Sequence, residues 1–306
     1  MSAACRFVVL VTLLLAALAA QAQLVERRVD LYSEGTRLSG TVFHPPVAEG
    51  TRLPAMILSH GWGGTAAMLR RWGERFAQAG YYVLVFDYRG WGDSEGRWVR
   101  DDTGTAGVRR ELREVVDPLD QAADIFNAVH WIMGEPLVDT GRVGLWGSSF
   151  SGGLVAYVAA RDPRIRAIVS QVPAFGRPRT ALSPENLARA QSDATRRARG
   201  EIGYPAPGVR EIGNLRGAPV RESFLRYAPI DDIPALRGCA MLIIDAEKEE
   251  LFDLREHGAL AYERAPEPRK RVVIPGIAHY GIYYEARERS IDLAIDWMDQ
   301  HLKGAK

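Results

Sequence analysis

The chain has 306 residues, 47% of them hydrophobic and 25% charged, with a formal net charge of +1 at neutral pH. That length suits one large α/β domain or two average ones and is enough to bury a large core. The near-zero charge excludes a whole-chain field for nucleic acid or an anionic membrane, and no long run of like charges, repeat or low-complexity tract supplies one locally.

The first 22 residues read as a cleavable signal peptide. Arg6 forms a minimal positive region, and residues 7–20 are apolar but short for a span of about 20 residues. Ala20-Gln21-Ala22 is a small-x-small cleavage site. The expectation is a mature chain that begins near Gln23, is secreted or periplasmic, and keeps no stable membrane insertion after cleavage. Cys5 precedes the apolar run, so it is not a lipoprotein cysteine. Removing the signal leaves Cys239 alone, which rules out an intramolecular disulfide; beside the apolar residues 240–244 it reads as a small buried hydrophobe.

Residues 24–29 and 38–43 are β-prone runs joined by Ser33-Glu34-Gly35-Thr36, which predicts an antiparallel hairpin. Residues 55–58 form a continuous apolar run, the mark of a strand covered on both faces. It ends in Ser59-His60-Gly61-Trp62-Gly63-Gly64, and a helix is expected over 65–79. A second buried strand, 81–86, runs into Asp87-Tyr88-Arg89-Gly90-Trp91-Gly92-Asp93-Ser94. The periodicity predicts a helix over 108–133 with a break at Pro118, a strand over 143–146, a helix over 150–161 and a strand over 165–172. Residues 175–236 then break the rhythm. They are rich in Arg, Pro and Gly, and an amphipathic segment, 184–199, lies at their middle, with Leu187, Ala190 and Ala194 spaced as a narrow apolar strip and Arg189, Arg196, Arg197 and Arg199 on its other face. Such a length suits a partly helical cap over the sheet edge. Strands at 241–244 and 272–274, with helices at 254–265 and 284–302, close the chain.

Strands alternating with helices predict a mostly parallel sheet with helices on both faces. Ligand sites in such sheets lie beyond the carboxyl ends of the strands. His60, Asp87, Ser149, the acidic cluster after Ile244 and His279 all follow strands directly, so they share one sheet edge.

The stretch Val143-Gly144-Leu145-Trp146-Gly147-Ser148-Ser149-Phe150-Ser151-Gly152-Gly153 carries the chemistry. An apolar strand turns at once into a helix, and small residues are needed because that turn leaves no room for bulk. The apex residue, Ser149, is presented in a strained backbone conformation as a nucleophile. A serine nucleophile needs a base, and the base an orienting acid. Of the six histidines, His44 follows the hairpin, His130 and His257 fall within expected helices, His301 lies in the last turn and His60 fixes a loop. His279, in the loop after the last strand, is the best base. Ile244-Asp245-Ala246-Glu247-Lys248-Glu249-Glu250 offers the acid, with Glu249 favoured and Glu250 and Asp245 behind it. The backbone N–H groups of Phe150 and Trp62 are the expected oxyanion donors.

These stretches, with Pro275-Gly276-Ile277-Ala278-His279-Tyr280-Gly281, resemble the α/β-hydrolase superfamily, most of all its dienelactone-hydrolase and serine-peptidase-like esterase branch. Their order of nucleophile, acid and histidine is the family's order. Ser151 stands where the family's G-x-S-x-G motif has glycine, and Glu249 where aspartate is usual. The resulting expectation is an exported serine hydrolase of carboxylic esters that forms an acyl-enzyme on Ser149, needing no metal or organic cofactor. The alternatives are a peptidase for short peptides and a catalytically inactive binding protein of the same fold. The expected partner is a small-molecule ester or short peptide, not nucleic acid.

Overall fold

The computed structural model describes residues 23–100, 108–176, 183–211 and 214–304. The expected signal peptide therefore lies outside the described residues, as do parts of the expected cap, at 177–182 and 212–213. Among the described residues, no helix is long and apolar enough to cross a membrane.

The chain opens with the hairpin β1 (Val25–Ser33) and β2 (Thr36–His44), paired antiparallel. Glu34 and Gly35 both take positive φ at its tip, 49° and 84°. That is the two-residue turn whose twist matches the strands it joins. Then come β3 (Leu53–Ser59), β4 (Tyr82–Phe86), β5 (Val138–Ser148), β6 (Ile165–Gln171), β7 (Ala240–Lys248) and β8 (Arg269–Ala278). They form one eight-stranded sheet in the order β1-β2-β4-β3-β5-β6-β7-β8, parallel from β4 to β8.

The six main helices are α1 (Arg70–Gln78), α2 (Pro118–Met133), α3 (Phe150–Ala159), α4 (Pro184–Ala198), α5 (Gly258–Arg264) and α6 (Arg287–Met298). Leu53–Leu58 of β3 and the whole of β4 are apolar because both their faces are covered. Along β3, Ala55 and Ile57 enter the core beneath α2 and α3, while Met56 and Leu58 enter the core beneath α1 and α6. Strand β4 divides the same way, with Leu84 and Phe86 on one side and Val83 and Val85 on the other. This is the period-2 alternation of a pleated strand. It sets the register, so the ends of β3, β5, β7 and β8 arrive together at one edge.

One expected helix is corrected. It does not run over 108–133 with a break at Pro118 but begins there. Asp117 caps it, accepting from Leu119 N–H at 3.0 Å and Asp120 N–H at 3.4 Å. Proline at the first helical position costs no hydrogen bond, since that N–H has no partner within the helix anyway. Residues 109–111 instead pair antiparallel with Trp98–Arg100. The closing helix is also shorter than 284–302: α6 is flanked by a tight turn at His279–Tyr283 and a wider one at Asp299–Lys303.

Between β6 and β7 the chain makes its long excursion. Helix α4 appears where the amphipathic segment predicted it, and of its expected apolar strip Ala190 is buried, against the short helix Arg221–Phe224. The excursion is stitched to the body at several points. Ala218 and Pro219 pair with Val115 and Val116, Trp62 Nε1 donates to Gly217 O at 3.0 Å, and Ile230 and Ile233 enter the core.

Candidate active site

Ser149 sits between β5 and α3 with φ 57° and ψ −122°. A non-glycine residue held there stores on the order of 1–3 kcal/mol of strain and persists only when its surroundings fix it. The fixing contacts are visible. Ser149 N–H donates to Gln171 O at 2.8 Å, and its carbonyl accepts from Gly152 N–H at 2.9 Å and Ala174 N–H at 3.0 Å. Gly147 has no room for a side chain, because a Cβ would overlap the Ser151 carbonyl.

Ser151, where a glycine was expected, fits because its hydroxyl is fully engaged. It lies 2.5 Å from Ser59 Oγ and 2.9 Å from Tyr88 OH, all three being buried. The turn keeps its close packing by supplying the extra hydroxyl with partners.

His279 begins the turn after β8. Its Nε2 is 3.1 Å from Ser149 Oγ, and its Nδ1 is 2.7 Å from Glu249 Oε2. The Glu249 side chain is itself buried, and its other oxygen accepts from Leu251 N–H at 3.0 Å. Glu250 does not meet the ring. It accepts instead from the backbone N–H of His279 at 2.8 Å. Asp245 stays within β7, fully buried and bonded to Arg271 Nε at 2.6 Å. Burial pushes its carboxyl up, and Arg271 opposes that. Of the candidate acids, only Glu249 has the geometry to orient the imidazole.

The loop after β3 reaches the same point. A Cβ on Gly61 would stand 3.0 Å from Ser149 Cβ and 3.6 Å from its Oγ, so this backbone passes as close to the nucleophile as glycine permits. Trp62 follows, its ring edge-on to Phe150 at 5.3 Å. His60 holds the loop through Nδ1, 3.0 Å from Gly61 O, and Tyr88 abuts its ring at 4.6 Å. Asp87 is a structural clamp: its carboxylate accepts from Ala66 N–H at 2.7 Å and Asp93 N–H at 3.2 Å.

Burial pushes the His60 imidazole below its ordinary value of about 6.5. The unfolded chain therefore binds a proton on this residue that the folded chain refuses. Stability is unaffected above about pH 6.5 and falls as pH drops below it. The expected result is a fall in unfolding free energy from pH 6.5 to 5, and a shallower fall in His60→Gln. Urea titrations across that range check this; equal slopes in both proteins would refute it.

The residues open onto a cleft of about 380 Å³. Ser149, His279, Gly61 and Trp62 form its floor and one flank, with Met68, Leu251, Tyr280 and Tyr284 as exposed apolar walls. Arg210, Asn214, Leu215 and Arg216 border it from the excursion between β6 and β7. That part of the excursion, not helix α4, borders the cleft. Of the arginines expected there, Arg197 pairs with Glu222 at 2.5 Å and Arg199 with Glu201 at 2.5 Å. Sequence reasoning also missed Tyr283. It lines the cleft, and its hydroxyl lies 2.6 Å from Ser148 Oγ, which in turn accepts from Gln171 Nε2 at 3.1 Å. Only its place four residues after His279 hinted at this. Among the described residues, no group of three or more His, Cys, Asp or Glu is arranged to hold a metal ion.

The sheet order, the strained serine turn and the histidine after the last strand define an α/β hydrolase fold. Residues 34–196 match the family model described as X-Pro dipeptidyl-peptidase (S15 family), and the chain belongs to that family. It is 36% identical over 146 residues to the quorum-quenching protein AidA of Acinetobacter baumannii (strain MDR-ZJ06), a match covering 47% of this chain and 43% of that one. The chain thus spans less than half the length of the first curated relatives it matches. Its fold is similar to the crystal structure of the α/β hydrolase GrgF from Penicillium sp. sh18, with a TM-score of 0.72, 21% identity, and coverage of 91% of this chain and 99% of that one. It also resembles dienelactone hydrolase from Anabaena variabilis ATCC 29413, with a TM-score of 0.56, 20% identity, and coverage of 92% and 99%.

Proposed function

We propose that the protein is an exported serine hydrolase acting on carboxylic esters. The observation that carries this reading is the unbroken hydrogen-bonded line Ser149 Oγ, His279 Nε2, His279 Nδ1, Glu249 Oε2, with separations of 3.1 and 2.7 Å. That line ends on a serine raised on a strained turn at the base of a cleft.

In this reading, Ser149 Oγ attacks the ester carbonyl while its proton passes to His279 Nε2. Glu249 holds the imidazole with Nδ1–H donating to it, and balances the imidazolium that forms. The carbonyl oxygen takes the negative charge, and the backbone N–H groups of Trp62 and Phe150 hold it. Such a donor is worth about 100- to 1000-fold in rate. The C–O bond breaks as His279 returns its proton to the departing alcohol, leaving an acyl group on Ser149. A water molecule then gives its proton to His279, attacks the acyl carbon and releases the acid. No metal or organic cofactor enters any step. Secretion or transfer to the periplasm rests on the signal sequence in residues 1–22.

A second reading is supported by the family match, whose name describes a peptidase. Amide and ester cleavage use the same machinery, so short peptides are the alternative substrate. The apolar cleft walls Met68, Leu251, Tyr280 and Tyr284 favour a hydrophobic acyl or alcohol group over a polar peptide. A parallel panel of 4-nitrophenyl acyl esters and aminoacyl-4-nitroanilides decides between them. The expected result is a kcat/KM for the best ester at least 100-fold above that of the best anilide. Anilide turnover equal to or faster than ester turnover would assign a peptidase.

A further inference from the structure

A second cavity, of about 250 Å³, shares the Trp62 side chain with the cleft above Ser149. Trp62, Leu187, Ala190, Pro219, Phe224 and Leu225 give it apolar walls. Asn186, Arg189 and Arg221 complete the lining, and Arg221 is already engaged by Asp193 and Glu211. The strip on α4 expected to pack inward is only partly covered: Leu187 remains 37% exposed because this space lies beside it.

The wall shared with the active cleft is the informative feature. Trp62 borders both spaces. Its ring is 5.3 Å from Phe150 and 6.2 Å from Phe224, and Phe150 is 6.0 Å from Phe224. Trp62, whose backbone N–H is assigned to the oxyanion, therefore also presents its side chain to this second cavity, with the Phe150 ring packed on it.

We propose that this cavity is the acyl-chain subsite of the enzyme, taking an unbranched aliphatic chain of a medium-length ester. The proposal rests on the assignment of Ser149 as the nucleophile. An acyl carbonyl bound by Trp62 N–H and Phe150 N–H has its chain leaving beside their rings. Past Trp62, the space beside α4 offers methylenes apolar walls away from water. The Trp62 indole is the wall that the two spaces share, fixed by its bond to Gly217 O at 3.0 Å. A substrate too short to pass it gains nothing from the cavity.

The test is the dependence of kcat/KM on acyl length, from acetate to dodecanoate 4-nitrophenyl esters. In the unmodified protein, kcat/KM should rise about fourfold per methylene, the factor carried by one buried CH2, until the cavity is full. Leu187→Trp fills the space from its exposed side and should lower the decanoate-to-acetate ratio by at least tenfold. Leu187→Ala enlarges the space and should move the preferred length upward. Should one variant fail to fold, the other still reports, in the opposite direction. Ratios within twofold of the unmodified protein for a folded variant overturn the subsite. Absence of ester hydrolysis in the unmodified protein would instead overturn the esterase reading, so the two failures are distinct.

Discussion

Ser149→Ala should lower ester turnover by about a millionfold, the scale reached when the nucleophile of a serine hydrolase is removed. The protein should stay folded. Among the described residues, the Ser149 hydroxyl is bonded only to His279, while the turn itself is held by the backbone bonds to Gln171, Gly152 and Ala174. Alanine meets the same positive φ as serine, so the stored strain is not relieved and stability should shift by less than about 1 kcal/mol. A remnant of activity would survive through the oxyanion donors and the cleft. Thermal unfolding together with steady-state rates checks both halves of this expectation. A folded Ser149→Ala protein with near-normal hydrolysis would remove Ser149 from the mechanism.

The second large effect distinguishes two neighbouring carboxylates. Glu249→Gln should cost about 10,000-fold in kcat at neutral pH, the scale of the equivalent change in the template triad. Glu250→Gln should cost less than tenfold. The reason lies in what each oxygen accepts. Glu249 Oε1 takes the N–H of Leu251, and Oε2 faces His279 Nδ1. A glutamine here keeps its carbonyl on Leu251 and turns its NH2 group to the ring. Nδ1 must then accept, the ring proton moves to Nε2, and the imidazole can no longer take the serine proton. Glu250 accepts from the His279 backbone N–H, which a glutamine oxygen can still do. Equal losses in both variants, or a larger loss at Glu250, would reassign the acid.

Why that choice was open from sequence can be seen in β7. Its register against β8 shifts between Ala246 and Lys248, an irregularity that redirects every side chain after it. No pattern in Asp245-Ala246-Glu247-Lys248-Glu249-Glu250 announces it. By contrast, β3 and β4 were legible because a strand buried on both faces must be apolar at every position. The serine turn was legible for a related reason: close strand–helix packing admits only small residues. Ser151 departs from the glycine pattern, and its partners Ser59 and Tyr88 come from other strand ends, so only the three-dimensional arrangement explains why it is accommodated.

Pro118 misled because a proline at the first turn and a proline within a helix look alike until the capping Asp117 is weighed. The long excursion between β6 and β7 was visible as an interruption in rhythm, but which part of it borders the cleft was not. Arg210, Asn214, Leu215 and Arg216 border the cleft, and nearby long-range contacts put the Trp62 indole on Gly217 and the Arg216 carbonyl against Gly63. The sequence of this stretch records none of this. Tyr283 was missed for the same reason, its role depending on Ser148 and Gln171, which sit on β5 and beside it on β6.

The central claim is that Ser149 is an activated nucleophile, and covalent labelling tests it most directly. The folded protein, incubated with a small alkyl fluorophosphonate at neutral pH and digested, should carry a single phosphonyl adduct on the peptide containing Ser149. Ester hydrolysis should disappear in proportion to labelling, and His279→Ala should label at least 1000-fold more slowly because the base that activates the hydroxyl is gone. Active protein that remains unlabelled, or an adduct on another residue that abolishes activity while Ser149 stays free, would contradict the account.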